Sequence, residues 1–186
     1  PTETSKSDAS SCMVISKIKN LITCVDGTPA FIYDEESIQH SLEILHISRI
    51  HSYCKLLFSL KSFAVVDALL LMAPHLDGFS VSSLFEAKLA REVIGSTGTV
   101  HMVTPGYKPN EIQQITEIAD HISFNSLSQW ERFYSNEAGH ASYGLRINPQ
   151  LSFVEDSRYN PCRKHSKLGV PLNQLQKALD KDNHLY

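Results

Sequence analysis

Five short apolar segments, Lys55–Leu60, Gly78–Ser82, Thr99–Thr104, His121–Asn125 and Ser142–Ile147, recur with their centres roughly 22 residues apart, about the length of one compact strand-plus-helix unit. Amphipathic stretches with their own start signals run between them. Ser83-Leu-Phe-Glu86 and Ser126-Leu-Ser-Gln129 both fit the capping box, in which a hydroxyl and a Glu or Gln side chain satisfy the free amides of a helix start. Pro109 suits a first helical turn ahead of Ile112 and Ile115, while Leu127, Trp130 and Phe133 or Tyr134 line one face of the next helix. The last helix is expected over Leu172–Leu179. Upstream, Ala30-Phe-Ile-Tyr33 has strand character, and Asp34 caps a helix with Ile38, Leu42 and Leu45 on one face. Strand and helix alternating at this density imply parallel strands with helices outside them, because parallel neighbours need a crossover. The fold class is therefore α/β. The pattern leaves an open doubly wound sheet and a barrel as alternatives, and 186 residues are fewer than the ~250 of a closed eightfold β/α barrel.

Composition removes several function classes. With 17 Lys+Arg against 20 Asp+Glu, the formal charge of −3 gives no electrostatic reason for nucleic acid or an anionic membrane as partner. The longest apolar run, Phe63 to Ala73, is interrupted by Asp67 and falls short of the ~18 residues of a spanning helix. Pro1 to about Ser16 is rich in Ser, Thr, Lys and Asp and lacks the apolar core of a secretory signal, so residues 1–27 read as a flexible tail and 28–186 as the folded part. Cys12, Cys24, Cys54 and Cys162 are too scattered for a metal or redox motif and read as reduced thiols of a cytoplasmic protein. The nine histidines include no H-x-x-x-H or H-E-x-x-H pattern, so no metal is expected.

Side chains alternate across a strand, which splits each segment into two faces. Phe79 and Val81, Ile122 and Phe124, and Tyr143, Leu145 and Ile147 form the apolar sets that should pack on helices. The opposite sets carry Lys61, Ser82, Asn125, Arg146 and Asn148 at or near the C-terminal strand ends, where barrels put their chemistry. The third strand is apolar on both faces and leaves its orientation open. A lysine at the end of an apolar strand suits Schiff-base chemistry, since desolvation favours the neutral amine that attacks an aldehyde. An arginine facing the same space can hold an anionic oxygen.

Six segments in order carry a resemblance: Thr28-Pro-Ala-Phe-Ile-Tyr-Asp34, Leu57-Phe-Ser-Leu-Lys-Ser-Phe-Ala64, Leu76-Asp-Gly-Phe-Ser-Val-Ser-Ser-Leu-Phe-Glu-Ala87, Ile122-Ser-Phe-Asn-Ser-Leu-Ser-Gln-Trp-Glu-Arg-Phe133, Tyr143-Gly-Leu-Arg-Ile-Asn-Pro149, and Tyr159-Asn-Pro-Cys162 with Lys167-Leu-Gly-Val170. From about residue 28 onward the chain resembles carboxynorspermidine/carboxyspermidine decarboxylase, a pyridoxal-phosphate enzyme of the alanine-racemase and ornithine-decarboxylase fold. The resemblance implies the N-terminal part of a (β/α)8 TIM-type barrel, with the family's β-rich C-terminal domain absent. It implies that Lys61 carries pyridoxal 5'-phosphate as a Schiff base and that Arg146 lies near the cofactor's phenolic oxygen, with Ser80 and Glu86 neighbouring it. Asn125, Asn148, Tyr159 and Cys162 are the weaker expectations for a substrate cavity, with Cys162 equally suited to a buried structural thiol. The implied reaction converts carboxynorspermidine or carboxyspermidine to norspermidine or spermidine in polyamine biosynthesis, by a homodimer in the full-length family.

The family's ring-stacking histidine, glycine-rich phosphate loop, pyridine-nitrogen acid and dimer-completing residues are expected to lie outside these 186 residues. The chain alone is then an incomplete and weakly active or inactive form that holds its cofactor loosely, and its first strand, Ala30–Tyr33, lacks neighbours. Two open sheet edges would invite association. Alternatives of the same fold are a diaminopimelate, ornithine or arginine decarboxylase or an amino-acid racemase. A different class is a truncated, non-catalytic chain that binds a full-length homologue.

Overall fold

The computed structural model describes residues 16, 18–25, 27, 29–134, 139–163 and 165–181. Two compact units divide at residue 38. In the first, residues 18–22 are helical and residues 30–34 are extended without joining a ladder. The strand expected at Ala30–Tyr33 does not form, and Phe31 is fully exposed. The physical reason is that a strand is defined by its partner, and strand propensity does not supply one. Asp34 begins helix α1 (Glu35–Ser52) as expected, its carbonyl accepting from Ile38 N at 3.1 Å and its carboxylate from Ser37 Oγ at 2.7 Å. Most of the tail assigned to residues 1–27 lies outside the described residues.

The second unit is built on a five-stranded, wholly parallel sheet in sequential order: β1 (Leu57–Ser59), β2 (Gly78–Val81), β3 (Thr99–Val103), β4 (His121–Phe124) and β5 (Ser142–Leu145). Helices α2 (Val66–Met72), α3 (Leu84–Ile94), α4 (Ile112–Ile118) and α5 (Leu127–Phe133) provide the crossovers. A second small parallel pair, β6 (Ile147–Asn148) with β7 (Val170–Pro171), precedes α6 (Leu172–Lys181). Helix α4 starts at Ile112, beyond Pro109, because residues 109–111 form a turn.

The predicted apolar faces are the core. Phe79, Val81, Val100, Met102, Ile122 and Phe124 are at most 2% exposed and meet Leu69, Ala87, Ala90 and Ile115 of the helices. Each large side chain buried this fully stabilises the fold by about 1.5–3 kcal/mol. The ambiguous third strand resolves with Val100 and Met102 inward to the helices and His101 and Val103 on the other face. Gly78 sits where β2 approaches β3 so closely that a Cβ would collide with the Thr99 carbonyl. One apolar assignment fails. Ile147 is not a β5 residue packed on helices; the chain leaves the main sheet at Arg146, and Ile147 pairs with Val170 and stays partly exposed.

Two stretches, Leu76-Asp-Gly-Phe-Ser-Val-Ser-Ser-Leu-Phe-Glu86 and Ala119-Asp-His-Ile-Ser-Phe-Asn-Ser-Leu-Ser-Gln129, align without a gap and fold alike. At the N-terminal edge of the sheet, Asp77 accepts from Leu56 N and Asp120 from Val100 N, both at 2.7 Å. An arginine from the helix before the preceding strand meets each carboxylate, Arg49 at 3.5 Å and Arg91 at 2.5 Å. Each arginine also donates to the carbonyl two residues before its aspartate, His75 and Ile118 respectively. This device ties successive strands in register through side chains as well as through the ladder.

Candidate active site

The C-terminal strand ends carry the side chains capable of chemistry. β1 stops at Ser59, and a single 3-10 turn, Leu60–Ser62, places Lys61 just beyond the strand. Leu60 is 1% exposed and anchors that turn, while Phe63 N to Leu60 O at 3.1 Å and Ser62 Oγ to Ser59 O at 2.7 Å close it. Lys61 is thus exposed at the tip of a fixed turn and, among the described residues, has no hydrogen-bond or ion-pair partner. The expected strand alternation does not extend to it, because the backbone has already left the β region.

Glu86 and Ser82 meet at the end of β2. Ser83 Oγ accepts from Glu86 N at 3.2 Å, and the Glu86 carboxylate accepts from Ser82 N at 2.7 Å and Ser82 Oγ at 3.0 Å. The matching turn after β4 repeats this with Ser126, Gln129 and Asn125. Both capping boxes therefore form, with the long side chain reaching one residue further back than the usual box. Gln129 already performs the backbone part of this task as a neutral amide. Accordingly, Glu86→Gln should leave stability within about 0.5 kcal/mol of the parent and Glu86→Ala should lose about 0.5–2 kcal/mol in urea unfolding. Equal losses in the two variants would show that the carboxylate charge matters beyond the cap.

Ser80 lies mid-strand in one row across the sheet, Ser59–Ser80–His101–His121–Ser142, on the face away from the helices. The His101 and His121 rings stack with centroids 4.2 Å apart, Thr99 Oγ1 is 2.9 Å from His101 Nε2, and Ser142 Oγ is 2.5 Å from His121 Nδ1. Burial first, then His121 and Lys55, holds His101 below the ordinary imidazole value against the opposing pull of Asp120. This shift favours the neutral imidazole at His101.

Arg146 follows β5, half-buried, at the far end of the strand edge from Lys61. Four strand spacings separate their positions, about 19 Å along the edge. Asn125 and Asn148 gather around Arg146. Asn125 Oδ1 accepts from Gly169 N at 2.9 Å and its Nδ2 donates to Lys167 O at 2.7 Å, while Asn148 Oδ1 accepts from Gln150 N at 2.9 Å. Tyr159 and Cys162 lie in the loop between β6 and β7. Tyr159 is 74% exposed with the Arg158 guanidinium 5.9 Å over its ring, and Cys162 is half-buried, its amide on Asn160 Oδ1 at 2.8 Å. A surface recess of about 470 Å³, lined by Arg91, Thr99, Asp120 and His140, lies at the opposite, N-terminal edge of the sheet. Asp120 there is engaged with Arg91 and His140, and Glu117 with Gln113 of its own helix, so the strand-end residues are the better candidate for chemistry. Among the described residues no cluster of three His, Cys, Asp or Glu could hold a metal, and no helix is long and apolar enough to cross a membrane.

No family model matches the chain. Individual relatives do. A carboxyaminopropylagmatine decarboxylase of Synechocystis is 39% identical over 149 residues, covering 80% of this chain and 38% of the relative. Carboxynorspermidine/carboxyspermidine decarboxylases of Campylobacter jejuni and Herminiimonas arsenicoxydans are 36% and 35% identical over 143 residues, covering 77% of this chain and 37% and 38% of the relatives. The crystal structure of the Campylobacter jejuni carboxynorspermidine decarboxylase with norspermidine superposes with a TM-score of 0.67 at 33% identity, over 80% of this chain and 37% of that one. Over the part it spans, this chain is similar in sequence and fold to these decarboxylases. It spans under two-fifths of the length of the relatives it matches. A diaminopimelate decarboxylase of Helicobacter pylori complexed with L-lysine, 18% identical with a TM-score of 0.70 over 87% of this chain and 41% of that one, shares the fold. The parallel α/β sheet is thus the one on which these decarboxylases are built.

Sequence reasoning overlooked three groups of residues that shape the strand edges. They are the Asp–Arg ties at Asp77 and Asp120, the stacked His101 and His121, and Gly169. The gapless match of the two stretches around Asp77 and Asp120 is a signal for the first, visible in the sequence alone.

Proposed function

We propose that this chain is the segment of a pyridoxal-phosphate decarboxylase that presents the cofactor's lysine, and that the complete protein removes carbon dioxide from a carboxylated polyamine. The observation that carries this reading is 35–39% identity to three such decarboxylases along about four-fifths of the chain. Lys61 supports it as an amine without an ion-pair partner among the described residues, on a rigid turn at the C-terminal end of a parallel strand. An accessible amine is open to an aldehyde cofactor, while the desolvation that the sequence led one to expect is not met, because Lys61 is exposed. When bound, pyridoxal phosphate supplies the electron sink for the pair left by departing carbon dioxide. Lys61 Nζ would hold the aldehyde carbon, and Arg146 would offer a guanidinium to an anionic oxygen. Ser80 presents a hydroxyl from the row that crosses the sheet from β1 to β5, and the Glu86 carboxylate fixes the turn after β2. Asn125 and Asn148 shape the edge through the loop they hold, and Tyr159 and Cys162 border it on the β6–β7 loop.

The substrate class is a carboxylated polyamine: carboxynorspermidine, carboxyspermidine or, by the Synechocystis relative, carboxyaminopropylagmatine. In the complete protein we place residues 28–186 within a β/α barrel, acting as a homodimer in the cytoplasm. The reading is tested by substituting these residues for the matched segment of the Campylobacter jejuni enzyme and following carbon dioxide release. The chimera should act on carboxylated polyamines in preference to diaminopimelate, and Lys61→Ala should abolish turnover. A folded, cofactor-loaded chimera that favours diaminopimelate would overturn the substrate assignment.

A further inference from the structure

We propose that Asn125 and Gly169 form a latch that positions Arg146, so that Asn125 acts through the arginine and not on the substrate. Asn125 leaves the end of β4 with 7% exposure. Its side-chain amide bridges to a distant loop, accepting from Gly169 N at 2.9 Å and donating to Lys167 O at 2.7 Å. Gly169 has a φ of +83°, and a Cβ there would lie 2.9 Å from Asn148 N, 2.9 Å from the Ile147 carbonyl carbon and 3.0 Å from Arg146 O. Only glycine allows the loop to lie this close to the Arg146–Asn148 backbone. The next residue, Val170, donates its amide to Arg146 O at 2.7 Å, while Arg146 N donates to Phe124 O at 2.8 Å.

These bonds close a ring. Phe124 fixes the Arg146 amide, Val170 fixes its carbonyl, and Asn125, which follows Phe124, fixes the residues before Val170. Both backbone groups of Arg146 are held by elements that Asn125 joins, which determines where its side chain begins. The turn after β4 does not itself need an asparagine, because the equivalent turn after β2 forms the same cap bonds with Ser82. The extra amide of Asn125 is spent wholly on the loop.

The link from Arg146 to the cofactor rests on the function proposed above; the latch itself does not. Two measurements on the 186-residue chain separate them. Amide hydrogen exchange by NMR should show Gly169 and Val170 exchanging at least about tenfold faster in Asn125→Ser, with Ser80 and Met102 unchanged, because serine suits the turn but is too short to bridge. Asn125→Asp keeps an acceptor for Gly169 and should keep that amide slow. Unchanged exchange at Gly169 and Val170 in Asn125→Ser, or equal loosening of β2 and β3, would overturn the latch. In pyridoxal phosphate titrations, Asn125→Ser should weaken binding at least about fivefold in the parent and have no further effect in Arg146→Ala. Additive losses would show that Asn125 acts independently of Arg146 and end the positioning role. Should the parent chain not bind pyridoxal phosphate, the cofactor reading for this chain fails while the exchange experiment still decides the latch.

Discussion

Phe124→Ala is expected to destabilise the folded unit by about 3–5 kcal/mol, a large share of the roughly 5–15 kcal/mol that holds a domain together. Phe124 is fully buried at the end of β4 and joins strand, helix and loop through rings. Tyr143 of β5 stacks on it at 5.7 Å with 7° between planes, and Tyr107, Trp130 and Phe133 stand at 5.4, 6.1 and 6.4 Å. Alanine would remove the ring all four share, and such aromatic pairs contribute about 0.5–1.5 kcal/mol each beyond area burial. The site would feel the change as well, since Phe124 O holds the Arg146 amide and Asn125 is the next residue. Urea unfolding measures the loss. Phe153→Ala, at a ring 90% exposed, should stay within about 0.5 kcal/mol. Comparable losses in the two variants would contradict the assignment of the core.

Asp120→Ala is expected to lose about 2–4 kcal/mol, because it leaves the part-buried Val100 amide without its acceptor and Arg91 with carbonyls but no counter-charge. The carboxylate accepts from Val100 N at 2.7 Å and from Arg91 at 2.5 Å, with His140 Nε2 at 3.5 Å. Asp77→Ala should lose less, since Arg49 stands off at 3.5 Å and the main bond lost is the one from Leu56 N. Partial burial pushes the Asp120 carboxyl toward a higher pKa, but the Val100 amide and the bonded, charged Arg91, with His140, outweigh it and hold the carboxyl below its ordinary value of 3.8. A carboxylate depressed in the folded state contributes its full stability above the unfolded value and loses it as pH falls through the folded one. Stability should therefore decline from about pH 4 downward, and this decline should be shallower in Asp120→Asn, which keeps an acceptor but does not titrate. Parallel acid profiles for parent and Asp120→Asn would remove Asp120 from the account.

The parts of this architecture that rest on short-range chemistry were legible in the sequence. Ser83 with Glu86 and Ser126 with Gln129 announce helix starts because the bonds they make are three or four residues long. Phe79, Val81, Ile122 and Phe124 announce the core face because a strand alternates strictly. What depends on distant partners was not legible. Nothing local marks Arg146 as the point where the chain passes from one sheet to another, whereas the missing neighbours of Ala30–Tyr33 were expected from the resemblance. Lys61 was placed at the right strand end, but its turn, set by Ser62 and Phe63 closing on Ser59 and Leu60, removes it from the strand's alternation. Asn125 was singled out as a cavity residue, but its bonds to Lys167 and Gly169, which cross more than forty positions, had no local signal.

The central claim is that this segment presents Lys61 as the lysine for pyridoxal phosphate. The most direct measurement is to incubate the chain with pyridoxal phosphate, reduce with borohydride and map pyridoxyl-lysine by peptide mass spectrometry. The account predicts label concentrated on Lys61 and lost from that peptide in Lys61→Ala without transfer to Lys55. Label spread over exposed lysines such as Lys88, Lys108 and Lys177, with no preference for Lys61, would contradict it.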